Sequence, residues 1–201
     1  MTKDKDRTTE GLARKALGED PEAFAELVQH LRGRLEMWIS LRMGPLLRSR
    51  LSEDDVLQET LLQAHRSLPD FADHGPGSFR RWMFSVAENR LRDLHKYHAA
   101  QKRDVAREAQ VGPRSAEESE FLQSLSASGT SPSSAAHRRD LVGGLAESIA
   151  RLPEPLGDVL VLRAIEERTF KEIAQQLGKR PATVKGLYVR ALKRLKDDLE
   201  P

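Results

Sequence analysis

Hydrophobic positions in this chain recur three and four residues apart, and no stretch alternates as a strand would. The first stripe is Phe24, Leu27, Val28, Leu31, Leu35, Trp38, Ile39 and Leu41; Gly44-Pro45 breaks it. Asp20 is the candidate N-cap of this helix, and Pro21 suits its first position. Ser52 opens a second helix, with Glu53, Asp54 and Asp55 in the first turn, where the positive end of the helix dipole favours acids. Val56, Leu57, Leu61 and Ala64 supply its buried face. Leu68 to Gly77, LPDFADHGPG, reads as a loop by its Pro and Gly content. Ser78 then caps a long helix with Phe79, Trp82, Met83, Val86, Ala87, Leu91 and Leu94 on one side. The other side carries Arg80, Arg81, Arg90, Arg92, His95, Lys96 and His98, and continues to Lys102 and Arg103.

The pattern fails over residues 104–140. Acidic Glu117, Glu118 and Glu120 precede a Ser-rich run, SLSASGTSPSS, which cannot bury enough apolar area to order itself and reads as a linker. Helical spacing resumes with Leu141, Leu145, Ile149 and Leu152; Pro153 and Pro155 mark a corner, and Val159, Leu160, Leu162 and Ile165 continue it. The expected organisation is all-α. A polar tail (1–19) with at most a short helix over Gly11 to Leu17 leads into a helical domain (20–103), a flexible linker (104–140) and a second helical domain (141–199).

The second domain ends in the most informative stretch. Thr169 and Glu172 have capping-box spacing, and Phe170, Ile173, Ala174 and Leu177 form one apolar face. Gly178 stops this helix and Pro181 starts the next. Val184, Leu187, Tyr188, Ala191, Leu192, Leu195 and Leu199 form the second stripe, opposite Lys185, Gly186, Val189, Arg190, Lys193, Arg194 and Lys196. From Lys179 to Lys196 every charged residue is basic. A short helix, a Gly turn and a longer basic helix make the helix-turn-helix pattern, whose second helix enters the major groove. A helical hairpin in an unrelated bundle shares the amphipathicity. The one-signed charge, the turn chemistry and a glycine on the outer face favour DNA.

Composition narrows the field. The chain has 201 residues, 32% of them charged and 5% aromatic, so its cores are small and aliphatic. A net charge of +2 excludes a protein that coats DNA by bulk charge; the basic residues are segregated instead. The absence of cysteine excludes disulfides, thiol catalysis and cysteine-ligated zinc, and fits a cytoplasmic location. No apolar run reaches the roughly 20 residues that cross a bilayer, and the charged N-terminus is unlike a signal peptide. His95 and His98 stand at i, i+3, but no third ligand has suitable spacing. No metal, cofactor or catalytic constellation is expected.

Three segments together resemble the extracytoplasmic-function (ECF) sigma factors, of the sigma-70 type. SEDDVLQETLLQA (Ser52 to Ala64) is similar to the family's acidic polymerase-binding helix, and GSFRRWMFSVAENRLRDLHKYH (Gly77 to His98) to its promoter-opening helix. The stretch from Leu152 to Leu195 is similar to its upstream promoter-reading domain. The resemblance implies a sigma factor that directs bacterial RNA polymerase to promoters, without catalysis of its own. Its implied partners are core RNA polymerase and promoter DNA, with an anti-sigma protein as a further candidate. The alternative is a helix-turn-helix regulator that acts on duplex DNA without polymerase.

The candidate residues follow. Asp54, Asp55, Gln58 and Glu59 share one helical face. By spacing alone this is a solvated face; the resemblance implies that it docks on a basic coiled-coil helix of the large polymerase subunit. Promoter opening at the −10 element requires unstacked bases to be received and phosphates tracked. Phe79, Trp82, Asn89 and Arg90 fit the first task, with core packing an equal reading for the two aromatics. Arg80, Arg81 and Arg92 fit the second. At the −35 element, Lys185 and Arg190 can pair with guanine and Val189 can meet a thymine methyl. Arg180, Thr183, Lys193 and Arg194 would contact phosphate, as would Thr169 at its helix N-terminus. Two departures from the family pattern stand out. Arg180 occupies a cap position where a small hydroxyl residue is more usual, and Gly186 leaves its position without a base-reading side chain.

Overall fold

Helices account for the regular structure, and no strand occurs among the described residues of the computed structural model, which are 11–13, 15–17, 21–75, 77–101 and 132–200. The expected cap Asp20, the basic pair Lys102 and Arg103, and the acidic and Ser-rich run up to Ser131 lie outside them. The chain divides into two compact units, with the boundary between Ser131 and Pro132.

The first unit contains α1 (Pro21–Arg42), the short α2 (Pro45–Arg48), α3 (Glu53–Ser67) and α4 (Ser78–Gln101). A 3-10 turn, Leu68–Asp70, follows α3. Helix α4 packs against α1, α2 and α3, and α1 packs against α3. The stripes read from the sequence meet in one core: Leu27, Leu35 and Ile39 from α1, Val56, Leu57 and Leu61 from α3, and Phe79, Met83 and Ala87 from α4 are all buried. Truncating one such residue to Ala costs about 2–5 kcal/mol, because it removes transfer energy and leaves a cavity. Residues 11–13 and 15–17 are helical, within the stretch where a short helix was expected, and bury Leu12, Ala13 and Ala16. Their i, i+1, i+4 spacing gives a narrow apolar edge.

Ser52 caps α3 as expected, and Asp55 closes the box by accepting from the Ser52 backbone N–H at 3.0 Å. Ser78 does not cap α4. Its hydroxyl donates to Asp73 Oδ1 at 2.7 Å, and the same oxygen accepts from the Gly75 N–H at 2.9 Å. One carboxylate thus ties the 71–77 loop to the start of α4. Gly77 is needed there for its backbone, whose φ is +74°; a Cβ would also lie 2.9 Å from Nη2 at the end of the Arg80 side chain.

The second unit contains α5 (Pro132–Ala150), α6 (Glu154–Leu160), α7 (Phe170–Gln176) and α8 (Pro181–Leu199). Helix α5 begins within the stretch read as linker. Pro132 stands at its start and Ala135 and Ala136 are strong helix formers, so the local propensity outweighs the serines. A π-helical turn over Val161–Ile165 follows α6, with the Glu166 N–H donating to the Val161 carbonyl at 3.0 Å. Helix α8 packs on α5, α6 and α7 around Val159, Leu162, Ile173, Ala174 and Val184.

Candidate nucleic-acid and polymerase interface

The helix-turn-helix forms as its local chemistry dictates. Thr169 and Glu172 make both halves of the capping box, Gly178 takes φ +61°, and Pro181 stands in the first turn of α8. Arg180 is the N-cap of α8 and makes no side-chain capping bond. Arg180, Thr183, Lys185, Gly186, Val189, Arg190, Lys193 and Arg194 are all exposed. Val189 is 58% exposed, a large apolar side chain left in water on an otherwise basic face. Arg190 Nε donates to the Gly186 carbonyl at 3.3 Å, which lays the guanidinium stem along the helix. A Cβ on Gly186 would meet nothing within 4 Å, so nothing inside the chain requires that glycine.

Thr169 stands at the N-terminus of α7. Its hydroxyl donates to Glu172 Oε2 at 2.8 Å and accepts from the Glu172 N–H at 3.2 Å. The Glu172 carboxylate shares this helix N-terminus with it, accepting from the Thr169 backbone N–H at 2.7 Å.

In the first unit, α4 and the loop before it enclose a cavity of about 430 Å³ lined by Asp70, Phe71, Ala72, His74, Ser78, Arg81 and Trp82. Phe71, Phe79 and Trp82 form a mutual ring cluster, with centroids 5.2–5.4 Å apart. Phe79 is 1% exposed and Arg80 5% exposed, so both side chains are buried within the unit. The reason is helical geometry: both lie in the first turn of α4, where one face meets the ring cluster and another passes beneath Gly77. Trp82 and Arg81 are half-buried and border the cavity, Arg90 is half-buried, and Asn89 and Arg92 are exposed further along α4. Arg92 Nη1 donates to Asn89 Oδ1 at 3.0 Å, and Arg92 Nη2 reaches Glu88 at 3.1 Å.

The acidic face of α3 is engaged within the chain. Asp55 is held in its capping box, and Glu59 accepts from Arg90 Nη2 of α4 at 2.7 Å. Asp54 and Gln58 are half-buried. Arg48, which sequence reasoning did not single out, fixes the entry to this helix. Its Nε donates to the Met43 carbonyl at 2.9 Å, its Nη1 pairs with Glu53 at 2.6 Å, and its Nη2 donates to the Ser40 carbonyl. One guanidinium thus joins the end of α1 to the first turn of α3. No periodic signal marks such a residue.

Residues 27–101 match the family model for sigma-70 region 2, and residues 144–195 match that for sigma-70, region 4. The ECF RNA polymerase sigma factor SigD of Mycobacterium tuberculosis is 29% identical over 185 residues, 92% of this chain and 81% of SigD. The ECF RNA polymerase sigma-E factor of Haemophilus influenzae is 26% identical over 196 residues, 96% of each chain. This chain is an ECF sigma factor.

A solved structure of CnrH in complex with the cytosolic domain of CnrY is also similar, at 24% identity and a TM-score of 0.48 over 96% of this chain and 97% of that one. As a sigma factor, the protein directs RNA polymerase to promoters, and its partners are the polymerase and promoter DNA. Sigma factors are specificity subunits rather than enzymes. No described helix of this sigma factor is long and apolar enough to cross a membrane.

Proposed function

We propose that the sigma factor divides promoter recognition between its two units, with residues 20–103 binding core polymerase and opening the −10 element, and residues 141–199 reading the −35 element. The exposed face of α8 carries this reading: Lys185, Val189 and Arg190 surround an open glycine, with no acid between them. Gly186 lets the helix backbone approach the base edges. Lys185 and Arg190 donate to guanine O6 and N7, and Val189 packs on a thymine methyl. Arg180, Thr183, Lys193 and Arg194 hold the flanking phosphates.

In the first unit, the cavity beside Trp82 receives an unstacked base. Trp82 offers a ring face to stack on, with the buried Phe71 ring packed against it, and Asp70, His74 and Arg81 offer polar edges. Phe79 acts from beneath as packing for those two rings, and Arg80 supports the Gly77 turn. Asn89, steadied by the Arg92 bond to its Oδ1, meets a base edge with its amide. Arg81 and Arg92 track phosphates. Asp54, Asp55, Gln58 and Glu59 present α3 to the polymerase, Asp55 being the most exposed of them. On this reading the chain performs no catalytic step of its own and works beside the polymerase in the cytoplasm.

The test separates base from phosphate contacts. Arg190→Ala is expected to cost about 1–3 kcal/mol at one upstream base pair and to relax specificity there. Lys193→Ala should weaken all sequences alike and lower the salt slope by about one. Binding titrations of holoenzyme on matched and singly altered promoters measure both. Equal effects of the two variants on every promoter would refute the division of roles.

A further inference from the structure

Between α6 and α7 lies a network that touches none of the exposed α8 residues, yet ends on α8. The Glu166 side chain is 6% exposed, and its Oε2 accepts from Arg168 Nε at 2.7 Å. Arg168 Nη1 donates to Gln176 Oε1, at the end of α7, at 2.6 Å. The Arg168 carbonyl accepts from Arg163 Nη1 at 2.9 Å. The Arg163 guanidinium lies 5.0 Å over the Phe170 ring, and the edge of that ring meets Tyr188 with centroids 5.7 Å apart. Tyr188 belongs to α8 and directly precedes Val189.

We infer that Arg163, Arg168 and the buried Glu166 are positioning residues for promoter reading, seating the recognition helix through Phe170 and Tyr188. A buried carboxylate is costly unless it is paired and hydrogen-bonded, and the Glu166–Arg168 pair satisfies that need. Arg168 then binds both ends of one unit of structure: its guanidinium holds α7, and its carbonyl holds Arg163. Arg163 in turn is clamped between a hydrogen bond and an aromatic face, which fixes it more tightly than either contact alone. It covers Phe170 from one side, and Phe170 meets Tyr188 edge-to-face where both rings pack on the core of this unit.

The consequence for specificity is geometric. Side-chain tips stand 5–6 Å from a helix axis, so a roll of about 15° moves them by roughly 1.5 Å. A bidentate contact between Arg190 and a guanine does not survive such a displacement. Phosphate contacts from flexible lysines do. Loosening the network should therefore blur base discrimination and spare general DNA affinity. This inference rests on the reading of α8 as the −35 helix.

The experiment uses the full chain in holoenzyme and a duplex library randomised across the upstream hexamer, with selection and sequencing as readout. Arg163→Ala is expected to reduce discrimination five- to ten-fold at the positions read by α8, with the salt dependence of total binding unchanged. Arg163→Lys, which keeps the cation over Phe170, should recover part of that discrimination. Glu166→Gln, chosen because Glu166→Ala would strand Arg168, should blur the same positions. Arg190→Ala is run beside them. If Arg190→Ala flattens the preference while Arg163→Ala and Glu166→Gln leave it intact, the network is structural only and the inference is overturned. If Arg190→Ala itself changes nothing, the reading of α8 falls and takes the inference with it.

Discussion

Arg90 Nη2 of α4 donates to Glu59 Oε2 of α3 at 2.7 Å, with the two side chains 29% and 22% exposed. The pair joins a residue expected to face polymerase to one expected to face DNA. It also changes what a charge reversal on α3 would test. Reversing Asp55 and Glu59 together cannot leave the fold untouched, because Asp55 closes the cap of α3 and Glu59 holds Arg90.

Glu59→Lys should place an ammonium group against Arg90 and lower the stability of the first unit by about 1–3 kcal/mol, between the values for exposed and buried pairs. Combining it with Arg90→Glu should restore most of the loss. Urea midpoints of the two single variants and the double variant measure this; a double variant whose loss equals the sum of the two single losses would show that the pair contributes little. Asp54→Lys is the cleaner probe of polymerase binding. It should abolish co-elution with core polymerase at moderate salt, and it leaves the Asp55 cap and the Glu59–Arg90 pair in place.

Gly186→Ala separates stability from recognition. The site is exposed and open, so the Ala side chain fits without displacing any neighbour. Helix propensity alone should stabilise the second unit by about 1 kcal/mol. Promoter binding should nevertheless weaken, because the added methyl holds the α8 backbone away from the base edges. Thermal melts and duplex titrations on the same preparation must move in opposite directions; a variant that is more stable and binds as well as before would remove the close-approach role.

Glu167 has φ +54°, the only positive value among the described non-glycine residues. That conformation costs an L-residue about 1–2 kcal/mol, while glycine adopts it freely at an entropic cost of about 0.5–1 kcal/mol in the unfolded chain. Glu167→Gly should therefore be net stabilising by roughly 0.5–1 kcal/mol. Glu167→Ala, which removes the side chain and keeps the strained conformation, should give no such gain. Chemical denaturation of the two variants distinguishes backbone strain from side-chain contacts.

Asp198 ties the end of α8 to the end of α5. Its Oδ2 accepts from Arg151 Nη2 at 2.7 Å, and Arg151 also donates to Ser148 Oγ at 3.0 Å. The Arg151 hydrogen bond, then that of Ser148, holds the Asp198 carboxyl below its ordinary value. A carboxylate with a depressed folded pKa contributes stability that is present above its unfolded value, near pH 4, and is lost as the pH falls through the folded value. Melting temperature should thus fall more steeply below about pH 4 in the parent chain than in Asp198→Asn, which has no such proton to take up. Parallel curves for the two proteins would mean that the contact does not persist in solution.

Much of this architecture is written in short-range sequence. Ser52 with Asp55, Thr169 with Glu172, and Gly178 before Pro181 could be read directly, because caps and turns are closed by residues within four positions of one another. The apolar stripes were legible for the same reason: helical spacing assigns each residue a face before any partner is known. The start of α5 at Pro132 was present locally but was outweighed in the reading by the serines before it. What only the tertiary structure decided is which polar groups meet across that frame. Arg90 and Glu59 are 31 positions apart, and no periodicity pairs them. Arg80 lies in a sequence run of apparent surface arginines, yet the Gly77 turn folds over it and buries it. Thr169 was legible as a cap from its spacing to Glu172, but only the folded chain shows both halves of that box closed, the hydroxyl donating to the Glu172 carboxylate and accepting from its N–H. Local chemistry places helices, whereas the burial and pairing of charges depend on which helix faces arrive together.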